Sequence, residues 1–424
     1  MAIITTTIGT RSVENVSISS VTGSDPYTVN LASAVSSTDN GDSLQDEHST
    51  PRSYLITPGA GTDTLTVSDS TGVGAAPDDS GTSQATTTRY YSTVSTWISG
   101  LVAGDLYSGT GDDPIGHLMD DGSVFSEDNL SINNNAVGDI TLTSPSGHRH
   151  DGTAGTGATI QANSTATQII QTKKSNVVEV SWLELDGNSE SVERGIAQVQ
   201  NVTTPPNYRH LLVHGGGKGR WGGFAICQKA GSGGSLRVNR CIVYEWTYTG
   251  GLSGADMVGI SAENANSSRL GEINNCTVWS IEHGGSNSGY GIETLDHANK
   301  VCKNNIAIDC DADYVLSSPS SADYDYNCSS DLSAAGSNSL TSKTAANNFV
   351  STSAPVDLHL ASGADCIGQG LDLGSSYYVE FDIDNYDVSS DAAWDIGADQ
   401  VVAAFKAAWA RFSNYIVGAN KAGD

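Results

Sequence analysis

The sequence predicts an all-β solenoid, in which successive turns of the chain stack and each turn contributes several short strands. Two interleaved series of strand-like segments recur at intervals of 28 to 36 residues. Such a period is typical of repeat proteins, because a strand too short to bury a face alone becomes stable when neighbouring turns cover it. The first series begins at Trp182, His210, Cys241, Cys276 and Asn305, and the second begins at Gly195, Gly223, Gly259 and Gly291.

The composition agrees with many short strands joined by tight turns. The 424 residues include 47 glycines, and only 38% of them are hydrophobic. Gly, Asn, Asp and Ser are typical of turns, whereas long helices use more Lys, Glu and Leu. The net charge of −28 has no basic stripe beside it, so we expect no nucleic-acid partner. This acidity indicates a solvated surface, and carboxylate sites for divalent cations are the alternative.

The beginning of the chain predicts two units before the solenoid. Residues 1–10 form a leading strand, and residues 11–88 form a small β-domain of four to six strands, which we interpret as an attachment module. A disordered segment is the alternative for this stretch, because its apolar content is low. Its strand-like pieces are Asn15–Val21, Tyr27–Leu31, Ser53–Ile56 and Thr64–Val67.

Helices are expected at both ends of the solenoid, which extends over residues 89–400. In the first helix Val94, Trp97, Ile98 and Leu101 share one face, which would cover the open end of the strand stack. Residues 401–424 predict a C-terminal helix and tail. This helix has Asp399 as its N-cap, and its apolar face would pack on the solenoid or on a second subunit. Its apolar positions are Val401, Phe405, Ala408, Trp409, Phe412 and Ile416.

We expect no membrane segment and no secretion signal. No apolar run reaches the roughly 18 residues of a membrane span, and residues 1–7 lack the charged and apolar regions of a signal peptide. Cys241 and Cys276 occupy equivalent repeat positions, which favours buried thiols over a disulfide. Asn239 and Asn274 lie two residues before these cysteines, and we expect them to form a hydrogen-bonded ladder along the stack.

Segments at both ends of the solenoid carry a family likeness. Asp357–Gly374, followed by Phe381-Asp-Ile-Asp and Trp394-Asp-Ile-Gly-Ala-Asp-Gln, resembles the C-terminal end of right-handed parallel β-helix proteins. In that family D-x-x-L and S-x-A-I-x-x-G precede D-x-D and D-I-G-A-x-E, so a glutamine replaces the usual last acid here. Ile3–Thr10 and Tyr90–Leu101 resemble the two halves of the start of a phage-associated branch.

This resemblance covers roughly residues 90–417 and implies a right-handed, single-stranded parallel β-helix with the N-terminal β-domain inserted. It implies a bacteriophage virion structural protein, as a capsid decoration protein or a fibre or tail component. Such a protein is made in the host cytoplasm, contacts other virion proteins, associates as a homotrimer and contacts host-surface polysaccharide. The same fold hosts enzymes, so two alternatives stay open: a lyase or depolymerase for acidic glycans, and a non-enzymatic carbohydrate-binding adhesin.

The alternative lyase has one candidate cluster. Lys218 would act as the base and Arg220 as its electrostatic helper, beside His214, with Glu184 or Asp186 of the preceding repeat as cation ligand. An exposed glycine-rich turn is the other interpretation of this basic segment. The paired-aspartate motifs of polygalacturonase-type hydrolases are missing, so we expect no catalytic residues in the favoured structural role. Aromatic subsites for a glycan would be Trp246 and Trp279.

Two groups of residues are candidate metal ligands. Asp382, Asp384 and Asp387 are crowded enough in sequence to bind Ca²⁺, which is the one cofactor that we consider. His148 and His150 are two residues apart, so on a strand they would face one side and hold a transition metal. The alternatives are carboxylates that stabilise turns and imidazoles that bind backbone groups.

Overall fold

The described part of the chain is all-β, as the sequence predicts: strands hold 48% of the described residues and helices hold 4%. The computed structural model describes residues 3–8, 14–23, 26–31, 42–46, 53–57, 64–69, 77, 84–88, 90–103, 113–133, 137–163, 167–174, 176–199, 205–217, 223–228, 235–248, 256–263, 270–295, 299–317, 323–374, 381–389, 391 and 393–401.

The described elements are two helices and 32 strands. The helices are α1 (Val94–Ala103) and α2 (Ala345–Asn348). The strands are β1 (Ile3–Ile8), β2 (Glu14–Gly23), β3 (Tyr27–Leu31), β4 (Ser43–Asp46), β5 (Ser53–Ile56), β6 (Thr64–Asp69), β7 (Gln84–Thr88), β8 (Asp113–Leu118), β9 (Phe125–Ser126), β10 (Leu130–Ile132), β11 (Ile140–Thr143), β12 (Thr159–Gln161), β13 (Gln168–Thr172), β14 (Val177–Ser181), β15 (Glu184–Asp186), β16 (Arg194–Gln198), β17 (Asn207–Arg209), β18 (Leu212–His214), β19 (Gly223–Gln228), β20 (Leu236–Asn239), β21 (Ile242–Tyr244), β22 (Met257–Glu263), β23 (Leu270–Asn274), β24 (Thr277–Trp279), β25 (Gly289–Leu295), β26 (Asn299–Lys303), β27 (Ile306–Ile308), β28 (Ala312–Leu316), β29 (Tyr324–Asp325), β30 (Cys328–Ser329), β31 (Phe349–Ser351) and β32 (Asp357–Leu360).

Three long sheets dominate the structure, and every neighbouring pair of strands within them is parallel. The first sheet has the order β1-β8-β11-β14-β17-β20-β23-β26-β29, the second β9-β12-β15-β18-β21-β24-β27-β30, and the third β10-β13-β16-β19-β22-β25-β28. From β8 onward the chain visits the three sheets in rotation, so each circuit adds one strand to each sheet. The first sequence series forms strands of the second sheet, and the other series forms strands of the third.

One continuous apolar core lies between the three sheets. The third sheet contributes an isoleucine from each of five successive circuits, and all five are 0% exposed. At the β1 end, Val94, Trp97 and Leu101 of α1 join this core and Ile98 packs against it, on the face that the sequence predicts. The isoleucines are Ile170, Ile196, Ile226, Ile260 and Ile292.

The inserted segment forms a closed antiparallel barrel of six strands in the order β2-β3-β6-β5-β4-β7. The barrel has its own apolar core, which includes Val29, Leu44 and Leu65. The chain enters the barrel after β1 and leaves it just before α1. The Tyr91 amide donates a 3.0 Å hydrogen bond to the Thr7 carbonyl, so both connections lie at one place on the stack.

A column of residues with left-handed backbone marks the corner between the first and second sheets. One such residue per circuit has φ between 49° and 58°. Asparagine adopts this conformation readily, whereas other side chains do so at a cost of about 1–2 kcal/mol. We name these six residues the corner column: Trp182, His210, Arg240, Asn275, Asn304 and Tyr326.

The corner column corrects the register of the sequence repeats. Ile242 pairs with Leu212, so Arg240, and not Cys241, is equivalent to His210. The asparagine ladder also lies elsewhere than expected. The Asn304 side-chain amide donates to the Asn275 side-chain oxygen at 3.0 Å, whereas the Asn239 side chain has no hydrogen-bond partner among the described residues.

The described residues that follow β30, which we name the C-terminal segment, lie across the outer face of the second sheet. Leu358, Leu360 and Ile383 are among the residues of this segment that cover Leu212 and Ile242 in a second apolar cluster. The predicted C-terminal helix within residues 401–424 lies outside the described part of the chain, apart from its first residue. Neither described helix has the length and apolarity that a membrane span requires.

Candidate functional site

The stack brings together three of the five candidate lyase residues. Asp186 on β15 pairs with His214 on β18, and Glu184 lies two residues earlier on β15. His214 Nε2 is 2.8 Å from Glu184 Oε1, and His214 Nδ1 is 3.7 Å from Asp186 Oδ1. Lys218 and Arg220 lie outside the described residues.

The carboxylates of this cluster are bound by their own chain. Glu184 Oε2 accepts hydrogen bonds from the Gly155 amide at 2.7 Å and from Thr159 Oγ1 at 3.0 Å. Burial opposes the ionisation of Glu184, but these hydrogen bonds and the one from His214 outweigh burial and hold its pKa below the ordinary value. Glu184 is 3% exposed, and groups of its own chain engage both of its oxygens.

Asp186 is bound in the same way. Its Oδ2 accepts a 2.7 Å hydrogen bond from Gln161 Nε2, and its Oδ1 accepts one of 2.7 Å from the Asn188 amide. These contacts follow from the stacking, because Gln161, Asp186 and His214 occupy one position on successive strands. The cluster is therefore a polar ladder that ties three circuits together.

Aromatic side chains continue this ladder. The Tyr244 ring stacks on the His214 ring with centroids 4.9 Å apart and an angle of 5°. The Trp279 centroid lies 6.5 Å from that of Tyr244, and Trp279 is partly buried. Trp246, the other expected subsite, is 0% exposed within the core, where a glycan has no access to it.

A second polar cluster lies where the C-terminal segment covers the corner column. One carboxylate oxygen from each of Asp382, Asp384 and Asp399 lies within 4.8 Å of the others. Two of these residues are predicted metal ligands. The third predicted aspartate, Asp387, accepts a 2.9 Å hydrogen bond from the Ser389 amide and is not part of this group.

His148 and His150 contact different groups. His148 Nδ1 lies 3.1 Å from the backbone of Asp120. His150 Nε2 lies 2.8 Å from the His210 carbonyl oxygen, and burial lowers the pKa of His150 to about 4. The two rings therefore do not converge on a common ligand position.

Two cationic side chains near the cluster of Asp382, Asp384 and Asp399 are missing from the sequence predictions. His359 lies between Asp357 and Asp384, with Nδ1 2.5 Å and Nε2 3.1 Å from their oxygens. Burial disfavours its charged form, but the hydrogen bonds to both carboxylates raise the pKa of His359 to about 10. Arg240 is 0% exposed, and its Nη1 donates to the Ala398 carbonyl at 3.2 Å.

Sequence signals for these residues are weak. Arg240 occupies a corner position that the slipped register hides, and His359 lies within the family-like C-terminal pattern without a repeat to place it. Asp399 is expected only as a helix cap, yet its Oδ2 accepts a 2.8 Å hydrogen bond from the Leu360 amide.

Two surface cavities lie near the described sheets. One of about 470 Å³ lies beside the third sheet and has Lys173, Arg194 and Gln171 in its lining. The other, of about 260 Å³, is lined by Gly215 and Glu245, close to the polar ladder.

Comparison of the chain with family models, curated proteins and solved structures finds no match.

Proposed function

We propose that the chain forms a right-handed, single-stranded parallel β-helix and serves as a structural protein of a bacteriophage particle. The rotation of the chain through three parallel sheets supports the helix, because every circuit adds one strand to each sheet. Nearly all crossovers between parallel strands of one sheet are right-handed, which supports the hand. The particle location rests on the resemblance of both ends of the solenoid to phage-associated proteins.

The observation that carries a structural role is the internal engagement of Glu184, Asp186 and His214. These side chains bind one another and neighbouring groups of their own chain at hydrogen-bond distance. A lyase needs open cation ligands and a base that reaches the substrate. Side chains that are already satisfied and largely buried stabilise a stack instead.

The barrel supports attachment to a larger assembly. Both of its connections lie at one place, next to β1 and α1, so the stack extends away from a single point. We propose that the barrel binds another capsid or tail protein and that the stack projects outward as a decoration or fibre. Homotrimer formation belongs to the same proposal, and sedimentation analysis of the purified protein tests it.

Mass spectrometry of purified particles tests the particle location. Particles banded on a density gradient are expected to contain the protein at a fixed ratio to the major capsid protein. A ratio near one indicates capsid decoration, whereas a few copies per particle indicate a fibre or tail component. Absence from banded particles, with the protein present in the crude lysate, would refute the proposal.

A second candidate function is the binding of acidic glycans without cleavage. The 470 Å³ cavity favours it, because Lys173 and Arg194 give a basic lining with amide groups beside them on an otherwise acidic protein. Basic and amide side chains are suitable donors to uronate carboxylates and sugar hydroxyls.

Calorimetry with acidic polysaccharides tests this binding. We expect Lys173→Ala to weaken it and Lys303→Ala, a lysine on the first sheet outside the cavity, to leave it unchanged. Absorbance of unsaturated products in the same samples tests the lyase alternative. Product that disappears in Lys218→Ala would establish that activity and overturn the non-enzymatic proposal.

A further inference from the structure

Three aspartates meet where two loops of the C-terminal segment close over the corner column. Asp382 and Asp384 belong to one loop, and Asp399 follows the D-I-G-A motif in the other. One oxygen from each lies within 4.8 Å of the others. Two oxygens bound to one Ca²⁺ at 2.3–2.6 Å lie at most about 5 Å apart, so this spacing fits a shared ion.

A second observation concerns the Asp382 side chain, which is 0% exposed. Its Oδ1 accepts hydrogen bonds from the amides of Asp384 at 3.0 Å and Tyr386 at 2.7 Å. Its Oδ2 is buried and has no hydrogen-bond partner among the described residues. A buried carboxylate oxygen without a partner is costly, so a ligand that supplies positive charge is expected to bind it.

The neighbouring cations offset this charge only in part, because Arg240 attracts Asp382 electrostatically without a hydrogen bond to it. Arg240 is buried nearby, but its Nη1 donates to the carbonyls of Gly397 and Ala398, and its Nε and Nη2 have no hydrogen-bond partner among the described residues. His359 binds Asp384 and a further aspartate, not Asp382. Burial and the surrounding carboxylates therefore raise the pKa of Asp382 to about 7.

The net charge at this corner is negative. Five carboxylates interact here with two cationic groups, Arg240 and His359. The carboxylates at this corner therefore outnumber the two cationic groups. The five carboxylates are Asp357, Asp382, Asp384, Asp395 and Asp399.

We infer that Asp382, Asp384 and Asp399 bind one divalent cation, and that Ca²⁺ is the ion that fits the site. Calcium takes hard oxygen ligands in irregular geometry, whereas magnesium requires a near-ideal octahedron and retains its waters. The ion fastens the loop containing Asp382 to the strand β32, because Asp399 also accepts the Leu360 amide. The C-terminal segment is thereby held on the outer face of the second sheet.

Calorimetry on the full chain, stripped with a chelator and titrated with CaCl₂, tests the inference. We expect saturable binding of one ion per chain and a melting temperature that rises with Ca²⁺. Asp384→Asn, at an exposed position, is expected to weaken binding on the order of tenfold or more, because the ligand charge decreases. Asp387→Asn is the matched control and is expected to bind like the wild type.

A second variant tests the buried aspartate directly. Asp382→Asn retains an oxygen for the two backbone amides but carries no charge. We expect this variant to show no saturable Ca²⁺ binding and no rise in melting temperature with Ca²⁺. The inference fails if the wild type shows no saturable Ca²⁺ binding, if Asp387→Asn weakens binding as much as Asp384→Asn, or if Asp382→Asn binds Ca²⁺ like the wild type.

Discussion

Removal of the His214 imidazole tests whether the polar ladder stabilises the fold. His214→Ala leaves Glu184 Oε1 without its 2.8 Å partner, in a side chain that is 4% exposed. Loss of a hydrogen bond to a buried charged acceptor costs about 1.5–3 kcal/mol. The other oxygen keeps its bonds from Gly155 and Thr159, which favours the lower end of that range. Loss of stacking on Tyr244 adds about 1 kcal/mol.

A double-mutant cycle isolates the pair. Glu184→Gln removes the charge and is expected to cost about 2 kcal/mol, because hydrogen bonds to a charged acceptor contribute about 1.5–3 kcal/mol. The double variant Glu184→Gln/His214→Ala leaves no buried charge unpaired. We therefore expect a coupling energy of about 2 kcal/mol between the two positions, with little dependence on salt.

Equilibrium denaturation at neutral pH, followed by tryptophan fluorescence, measures these free energies of unfolding. The pKa of Glu184 lies below its ordinary value of 4.5. Its contribution is therefore complete above that pH and disappears as the pH falls through the lower folded value. A loss under about 1 kcal/mol for His214→Ala, or a coupling energy near zero, would refute the structural role of the ladder.

Three further predictions address the core, the C-terminal corner and a close contact. Ile170→Ala, at an inward position, is expected to lower the free energy of unfolding by about 3–4 kcal/mol, and Gln171→Ala on the opposite face by under about 0.5 kcal/mol. Equal losses of unfolding free energy in the two variants, measured by denaturation, would contradict the assignment of Ile170 to the inner face and Gln171 to the outer face. NMR titration should show His359 protonated at about pH 8, with a stability contribution that is complete below 6.5 and lost as the pH rises through about 10. In Asp384→Asn the His359 pKa should fall by about one unit or more, and a wild-type value near 6.5 would contradict the pairing. Gly216→Ala should lower the melting temperature by several degrees, because its Cβ would clash with a buried tryptophan ring of the next circuit; an unchanged temperature would show that the ring moves aside.

The repeats predict the all-β stack, but they do not fix its register. The spacing between equivalent segments varies because the connecting loops differ in length, so apolar alternation alone aligns Cys241 with His210. The structure aligns Arg240 with His210 through their left-handed backbone. The first sheet has no sequence series because polar residues such as Glu272 interrupt its strands.

The polar ladder is predictable from sequence, whereas the C-terminal corner is not. Asp186 and His214 are 28 residues apart, one repeat period, so stacking alone brings them together. Asp399 and His359 come from a segment that folds back on the stack without a period of its own. Only tertiary structure places Asp399 beside Arg240 and His359 beside Asp384.

The sequence of the second sheet nevertheless indicates that its outer face is covered. Ile242-Val-Tyr and Ile306-Ala-Ile are continuous apolar runs, which are typical of strands buried on both faces. One face of each run meets the core of the stack, and the other meets the C-terminal segment. The stack and its cover are therefore interdependent, because an uncovered second sheet would expose a contiguous apolar surface. This requirement gives the charged groups at the corner a physical role: they anchor the segment whose loss would expose that sheet.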